Sequence, residues 1–461
     1  MARCTRQFRC LAVCVLGCFA IASSGCRQSA RPEPDSAASP SADEILARMI
    51  RVYRAASSYS DHGLVRLKYR QGGQSFQDEG QLEVKFSRPN RLQLRAYQLA
   101  MASDGQELRA LVSDRESGDL DRQVLTRPAD SPLLLESLYE DDVVRGVVSG
   151  GLGGPPVQLE LLLTESPLQY VFDPQVNREL LDAEFLGDRD CHRVRVSLAE
   201  GDLVFWIDQQ DFVLRRLEYP AARLAAQMAK ASECSEVSLV AEFRSARINT
   251  SLDDNEFRLD LPENAQLVRR FVLPPPPLPS NLLGNPSGDF FFTDLQGERV
   301  TRDSLLGKIS VLVWFNNHPA SQSSLEQLAQ VQAEFAKESG VTFHAICTEP
   351  QTLSTAQVQE LTRRWGVSMR VVRDLQAFGR DAFQVPWAPT LVILDQRGLV
   401  QLFEVGANPT QRQNLSAVLQ QLLKGENVAA KMLDQVAQER LAYQKSLAEA
   451  ASASRTSAAR Q

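Results

Sequence analysis

Hydrophobic and polar positions change rhythm along the chain, and each rhythm predicts a kind of element. A helical stripe comes first. Ile45, Met49, Val52, Tyr53 and Ala56 recur at three- and four-residue intervals behind a Ser41-x-x-Glu44 capping box. Strict alternation follows: Val65, Leu67 and Tyr69 against Arg66, Lys68 and Arg70, then Leu82, Val84 and Phe86 against Glu83 and Lys85. Arg88-Pro89-Asn90 turns the chain into Leu92 and Leu94. Alternation returns at His192, Val194 and Val196, over 203–208 and 212–219, and in a last strand over 238–248. Helical apolar stretches at 133–139, 157–163 and 221–231 interrupt it. Period-two patterns with one apolar face predict half-buried antiparallel strands, here one large curved sheet with a few helices.

The run Pro274-Pro-Pro-Pro277, with Pro279 and Pro286, predicts an extended spacer and a domain boundary. Beyond it the pattern is different. A hairpin over 290–293 and 299–301 precedes a buried run over 309–315, a polar turn and a helix over 321–337. A strand at 341–347, a helix at 356–365, paired strands at 391–394 and 399–403, and a closing helix at 415–423 complete an α/β order. Val428, Met432, Val436, Tyr443 and Leu447 form the stripe of one more helix, expected to pack on the domain before it.

The 461 residues are too many for one ordinary domain and predict two, with extensions. Formal charge is −7. The first 25 residues hold Arg3, Arg6 and Arg9 and no acid, leaving 47 basic against 57 acidic groups in the remainder. That balance gives no reason to bind nucleic acid. Four His and scattered Cys leave little material for a metal site, and no metal or cofactor is expected.

Residues 10–22 are the only strongly apolar run, short for a membrane span and right for a secretory signal behind a basic start. Ser23-Ser24-Gly25-Cys26 resembles a bacterial lipoprotein signal, which implies a diacylglycerol on the Cys26 thiol. Ser23 stands where that pattern has Leu, so a plain secretory cut after Ala20-Ile21-Ala22 remains the alternative. Either reading exports the protein. The expected location is the cell envelope, membrane-anchored and facing the periplasm, or otherwise soluble in the periplasm or secreted. The predicted segments are a signal peptide over 1–25, a disordered tether over 26–41, a first domain over 42–265 and a Pro-rich linker over 266–288. A second domain over 289–425 follows, then a helix with a frayed tail over 426–461. Once the signal and Cys26 are set aside, Cys191, Cys234 and Cys347 remain. An odd number leaves at least one free thiol, and Cys191 and Cys234 either pair or stay separate.

The order helix, long meander, FSRPNRLQLR (86–95), CHRVRVSL with GDLVFWIDQQDFVLRRLEY (191–219) and FRLDLPENA (257–265) resembles the LolA-like lipoprotein-carrier domains. That resemblance implies an open half-barrel capped by helices, with an apolar concavity for acyl chains or a lipoprotein. The residues alone leave a filled core and an open cavity equally possible. FTDLQGERVTRDSLLGKISVLVWF (292–315) and VPWAPTLVILDQRG (385–398) resemble the redoxin branch of the thioredoxin fold. The resemblance places Pro389 at that fold's cis-proline position, before Thr390. The fold class expected is thus α+β followed by α/β.

Active members of that branch carry Cys-x-x-Cys where a helix N-terminus favours a thiolate. Here those positions read His318-Pro319-Ala320-Ser321, so dithiol chemistry is not expected. Ser321 suits a helix N-cap instead. Cys347, ending a strand expected to run parallel to 309–315, is the weak candidate nucleophile of the domain. The predicted function is an exported, lipid-anchored binding protein for an apolar ligand or a lipoprotein, with the second domain available to a protein partner. The alternative is a thiol-dependent oxidoreductase, a disulfide reductase or one-Cys peroxidase working through Cys347 or a partner thiol.

Overall fold

The computed structural model describes residues 40–458, apart from Gly72, 115–117 and Glu233. The signal segment, Cys26 and nearly all of the tether lie outside the described residues. The chain divides into two units, Met1–Pro274 with Lys445–Gln461, and Pro275–Gln444.

The first unit opens with the helix Ala42–Ala55, whose capping box forms as expected: the Glu44 N–H donates to Ser41 Oγ and the Ser41 N–H to Glu44 Oε2. The helix buries Ile45, Leu46, Met49 and Tyr53 completely. Each such side chain contributes about 2 kcal/mol of apolar burial. The sheet it covers runs from the edge strand Gln266–Val268 through Gln123–Pro128, Glu107–Asp114, Leu99–Asp104, Arg91–Ala96 and Gln74–Ser87 to Ser58–Gln71. It continues through Ser235–Glu242, Leu214–Tyr219, Gly201–Asp208 and Arg189–Leu198 to the other edge, Asn177–Leu186. Only the first pair is parallel. Alternation sets the faces. Val65, Val84, Phe86, Leu94, Val194, Val196 and Phe205 form one core with the helices Ala42–Ala55, Asp142–Ser149 and Val157–Leu163.

Several elements were not legible. Leu99–Asp104 has no polar residue before Ser103 and so no apolar–polar alternation to mark it. Asn177–Leu186 is an edge strand, mostly exposed, whose charged pattern has no apolar face. The helix Asp142–Ser149 is short and capped by Asp141, which accepts from the Val143 and Val144 N–H groups.

Two boundaries need correction. The expected linker 266–288 is largely incorporated. Val268 and Phe271 are buried in the first core, and Leu283 in the second, with Leu278 and Leu282 packed beside it. Apolar residues flanking the prolines gain more by burial than by remaining a spacer, so the division falls between Pro274 and Pro275. The last helix, Val428–Ala458, extends past the expected fraying point. Val428 and Ala429 are buried in the cores of the second unit, whereas Ala450 and Leu447 belong to the core of the first.

The second unit is mixed α/β. Its sheet has the order Arg299–Thr301, Phe291–Asp294, Arg370–Arg373, Val341–Cys347, Ile309–Phe315, Thr390–Leu394, Val400–Val405. Ile309–Phe315, buried at every position, is parallel to Val341–Cys347 as expected and antiparallel to Thr390–Leu394. A strand so placed is covered on both faces, which explains its unbroken apolar run. Helices Pro319–Glu334, Thr355–Arg364 and Gln411–Leu423 contribute Leu325, Val358 and Leu415 to the same core.

Candidate functional site

The turn after Ile309–Phe315 is the position where the redox chemistry of the resemblance would sit. Pairing of the strands brings the positions singled out in the sequence to one edge. Phe315 stands abreast of Cys347, and Trp314 abreast of Thr390, which follows the cis Ala388-Pro389 bond. His318, Ser321, Cys347, Pro389 and Thr390 therefore share one rim of the sheet.

Their side chains do different things. His318, not Ser321, is the N-cap: the helix begins at Pro319, and the Ala320 N–H donates to His318 Nδ1 at 3.1 Å. Ser321 is buried inside the first turn. Its hydroxyl donates to Asn316 Oδ1 at 2.8 Å and accepts from the Asn316 N–H at 3.2 Å. The capping role expected of Ser321 is thus corrected. Pro319 at the first helical position lets the helix start two residues earlier, which turns Ser321 inward. The Asn317 N–H donates to Glu349 Oε1 at 2.7 Å, closing the turn onto the segment that follows Val341–Cys347. Thr390 Oγ1 donates to the Trp387 carbonyl at 2.6 Å, and the Gly406 N–H to the Pro389 carbonyl.

Cys347 lies on the rim but faces the core with Phe315, Leu325 and Val358, and has no exposed surface. Burial pushes its thiol pKa up. A reactive cysteine needs the reverse, an accessible thiolate beside positive charge. Cys191 and Cys234 are both buried, in separate apolar clusters, and no disulfide joins them. Two strands stand between Arg189–Leu198 and Ser235–Glu242. That is about 14 Å of sheet, twice the reach of a disulfide. The pairing left open by the sequence is not made. Burial, with Asp208 nearby, raises the Cys191 thiol to about 11.

The first unit presents a filled apolar face, with the three helices packed against the inward side chains of the sheet. A polar cluster sits within it. Asp61 accepts from Gln158 Nε2 at 3.1 Å and from Ser245 Oγ at 3.0 Å, and burial lifts its carboxyl to about 6. Arg215, 2% exposed, donates to Asp208, Asp211 and the Ala246 carbonyl. An open recess of about 330 Å³ lies among Leu108, Arg127, Leu133, Glu140 and Arg269.

A larger groove, about 510 Å³, lies in the second unit. Lys308, His344, Arg370, Leu305 and Phe335 are among its lining residues. The sequence reading missed it. The signal available was His344 itself, a polar residue inside the apolar strand VTFHAIC. Among the described residues no three His, Cys, Asp or Glu side chains are grouped to hold a metal ion. Among the same residues no helix is long and apolar enough to cross a membrane.

No family model matches the chain, and no curated protein matches it either. Solved structures resemble part of it. The thiol:disulfide interchange protein, a thioredoxin family protein from Chlorobium tepidum TLS, is 20% identical, with 30% of this chain and 95% of that chain covered and a TM-score of 0.26. A secreted Mycobacterium tuberculosis disulfide oxidoreductase homologous to E. coli DsbE is 26% identical, over 28% of this chain and 92% of that one, with a TM-score of 0.24. MTB dsbF, in mixed oxidized and reduced forms, is 22% identical, over 31% and 96%, with a TM-score of 0.26.

Proposed function

We propose that this chain is an exported binding protein in which a thioredoxin-type second unit has given up dithiol chemistry. One observation carries the reading. The turn that would hold two cysteines holds His318 as a helix cap and Ser321 locked to Asn316, while the nearby Cys347 is sealed in the core. A dithiol enzyme needs an attacking thiolate and a second thiol to release the mixed disulfide. Neither position supplies a sulfur, and a buried thiol with a raised pKa does not substitute for them. The rim is left with Asn317, His318, the Glu349 carboxylate and the half-exposed Trp387 at its surface, groups that could dock a protein segment.

The first unit is read as LolA-like, on its leading helix, long antiparallel meander and apolar face covered by helices. An acyl chain or the lipid of a lipoprotein would enter beneath those helices, displacing them from the sheet. A lipid at Cys26 would hold the protein on the envelope membrane facing the periplasm.

Insulin reduction with the full chain tests the first part. The expected result is no turnover above buffer, unchanged by Cys347→Ser. Catalytic turnover abolished by Cys347→Ser would establish the thiol-dependent alternative. Lipid extraction of purified protein, read by mass spectrometry, tests the second. Co-purifying acyl chains support the carrier reading, and empty protein that takes up no fluorescent fatty acid ends it.

A further inference from the structure

We propose that the helix Ala42–Ala55 lays an arginine face on an anionic phospholipid bilayer. The inference rests on the lipid anchor at Cys26 proposed above and adds a second, orienting contact to it.

The helix buries one side and charges the other. Ile45, Leu46, Met49 and Tyr53 have no exposed surface, whereas Arg48, Arg51 and Arg54 are exposed at three-residue spacing. Steps of three keep side chains on one face, so the guanidinium groups form a ridge about 9 Å long. Elsewhere on this unit arginines are commonly neutralised, Arg66 by Glu79, Arg91 by Asp254 and Arg195 by Glu179. Among the described residues no carboxylate pairs with Arg48, Arg51 or Arg54. Arg48 lies over the Phe212 ring at 4.1 Å, which orients its guanidinium and leaves the charge in place.

Arg88 extends the ridge. Its guanidinium donates to the Tyr53, Ala56 and Leu162 carbonyls at the end of the helix. Burial, and then the charge of Arg54, lower its pKa, so two like charges stand close. Two acids share the region. Asp190 and Arg48 act with opposite signs on His192, whose pKa burial lowers. Glu165 lies three residues past Leu162 and, among the described residues, pairs with none of the four arginines. In the first turn Asp43 is paired with Arg178, and Glu44 is turned back onto Ser41. The acids of the helix are therefore occupied. Four arginines face two carboxylates on a chain whose formal charge is −7.

Position selects the partner. The stretch 27–40 spans at most about 50 Å even when fully extended. A lipid on Cys26 therefore keeps the helix within that distance of a bilayer. Guanidinium groups take phosphate oxygens through paired N–H donors. Each basic side chain at an anionic surface strengthens attachment about fivefold. The anchor limits distance only, and the ridge decides which side of the first unit faces the membrane.

The test reads the distance from helix to bilayer. Cys191, Cys234 and Cys347 are buried, which leaves an introduced cysteine as the one to label. Ala55→Cys puts a spin label on the exposed face of the helix. Gln81→Cys puts it on the other side of the sheet, since the neighbouring Leu82 points into the core. The mature chain is reconstituted in phosphatidylcholine vesicles with about a third phosphatidylglycerol. A trace of nickel-chelating lipid broadens labels close to the surface. The Ala55→Cys signal should broaden and the Gln81→Cys signal should not. On phosphatidylcholine alone the two should match. Arg51→Gln with Arg54→Gln should shift the docking equilibrium about 25-fold toward the undocked chain, about fivefold for each charge. Salt at about 0.5 M should also undock it. The proposal falls if the two labels match on the anionic vesicles, if phosphatidylcholine alone gives the same contrast, or if the paired substitution changes nothing. Mass spectrometry of the mature N-terminus judges the anchor separately. Where Cys26 carries no lipid, a histidine tag in place of residues 1–26, held by the nickel lipid, supplies the anchor, and the same comparisons judge the ridge.

Discussion

The two ends of the sheet in the second unit are built from similar materials and arranged in opposite ways. At the rim, Asn316, Asn317, His318, Ser321 and Thr390 each make a hydrogen bond within the unit. At the other end, among the described residues, His344 Nδ1 has no partner and Lys308 no counter-ion. A closed polar network holds a turn in place and has few buried polar groups left for a small ligand. An open one is less stable than it could be, and the deficit is what a ligand can make up. The turn 316–321 that resemblance singles out is therefore satisfied within itself, whereas His344 Nδ1 at the other end is not.

The largest effect that would break this contrast lies beside the rim. A Cβ on Gly379 would overlap Trp314 Nε1 and lie 2.8 Å from Asp374 Oδ2, which accepts the Gly379 N–H. Trp314 has no exposed surface and cannot retreat. Gly379→Ala should therefore cost about 3 kcal/mol, the upper range for overpacking a core, read as a shift in urea midpoint at constant slope. A loss under about 1 kcal/mol would mean that the rim yields, contrary to the view of it as a finished network.

A third polar cluster, in the first unit, sharpens the comparison through pH. The Asp61 carboxyl rises from 3.8 to about 6 on folding, so between those values the folded chain holds more protons than the unfolded one. Stability from this group is present below pH 3.8 and is lost as pH rises through 6. Asp61→Asn keeps an acceptor for Gln158 and a polar partner for Ser245 without the charge. It should be more stable than the parent at pH 7 by roughly 2–3 kcal/mol, with the difference vanishing near pH 4. Thermal melts at the two pH values decide it, and a gain that does not depend on pH would contradict the assignment.

Ser321→Ala removes a hydroxyl from a closed network and leaves both Asn316 groups unpartnered. The expected loss is about 2 kcal/mol by chemical denaturation. His344→Leu makes the converse change at the open end, replacing an unsatisfied polar group by an apolar one of similar size. It should alter stability by less than about 1 kcal/mol, in the stabilising direction. If both substitutions cost the same, the two ends do not differ in satisfaction, and the contrast between them is lost.

What the sequence by itself determined was carried by period and punctuation. Ser41 and Glu44 mark the first helix, the alternation from Val65 to Phe86 marks a long hairpin, and the unbroken run 309–315 marks a strand covered on both faces. The absence of cysteine at 318 and 321 is equally a property of sequence. These are local signals, because backbone geometry repeats every two or 3.6 residues and a neighbour a few positions away reports on it. What only the tertiary structure decided was where each side chain spends its hydrogen bonds. Ser321 could cap a helix or face inward, and the start of the helix at Pro319 chose the second. Leu283 could belong to a spacer or a core, and Val400, more than a hundred positions later, drew it in. His344, Lys308 and Arg370 are separated by dozens of residues and meet only because parallel strands begin at one end of a sheet. Burial and partnership depend on groups remote in the chain, so no window of local pattern contains them.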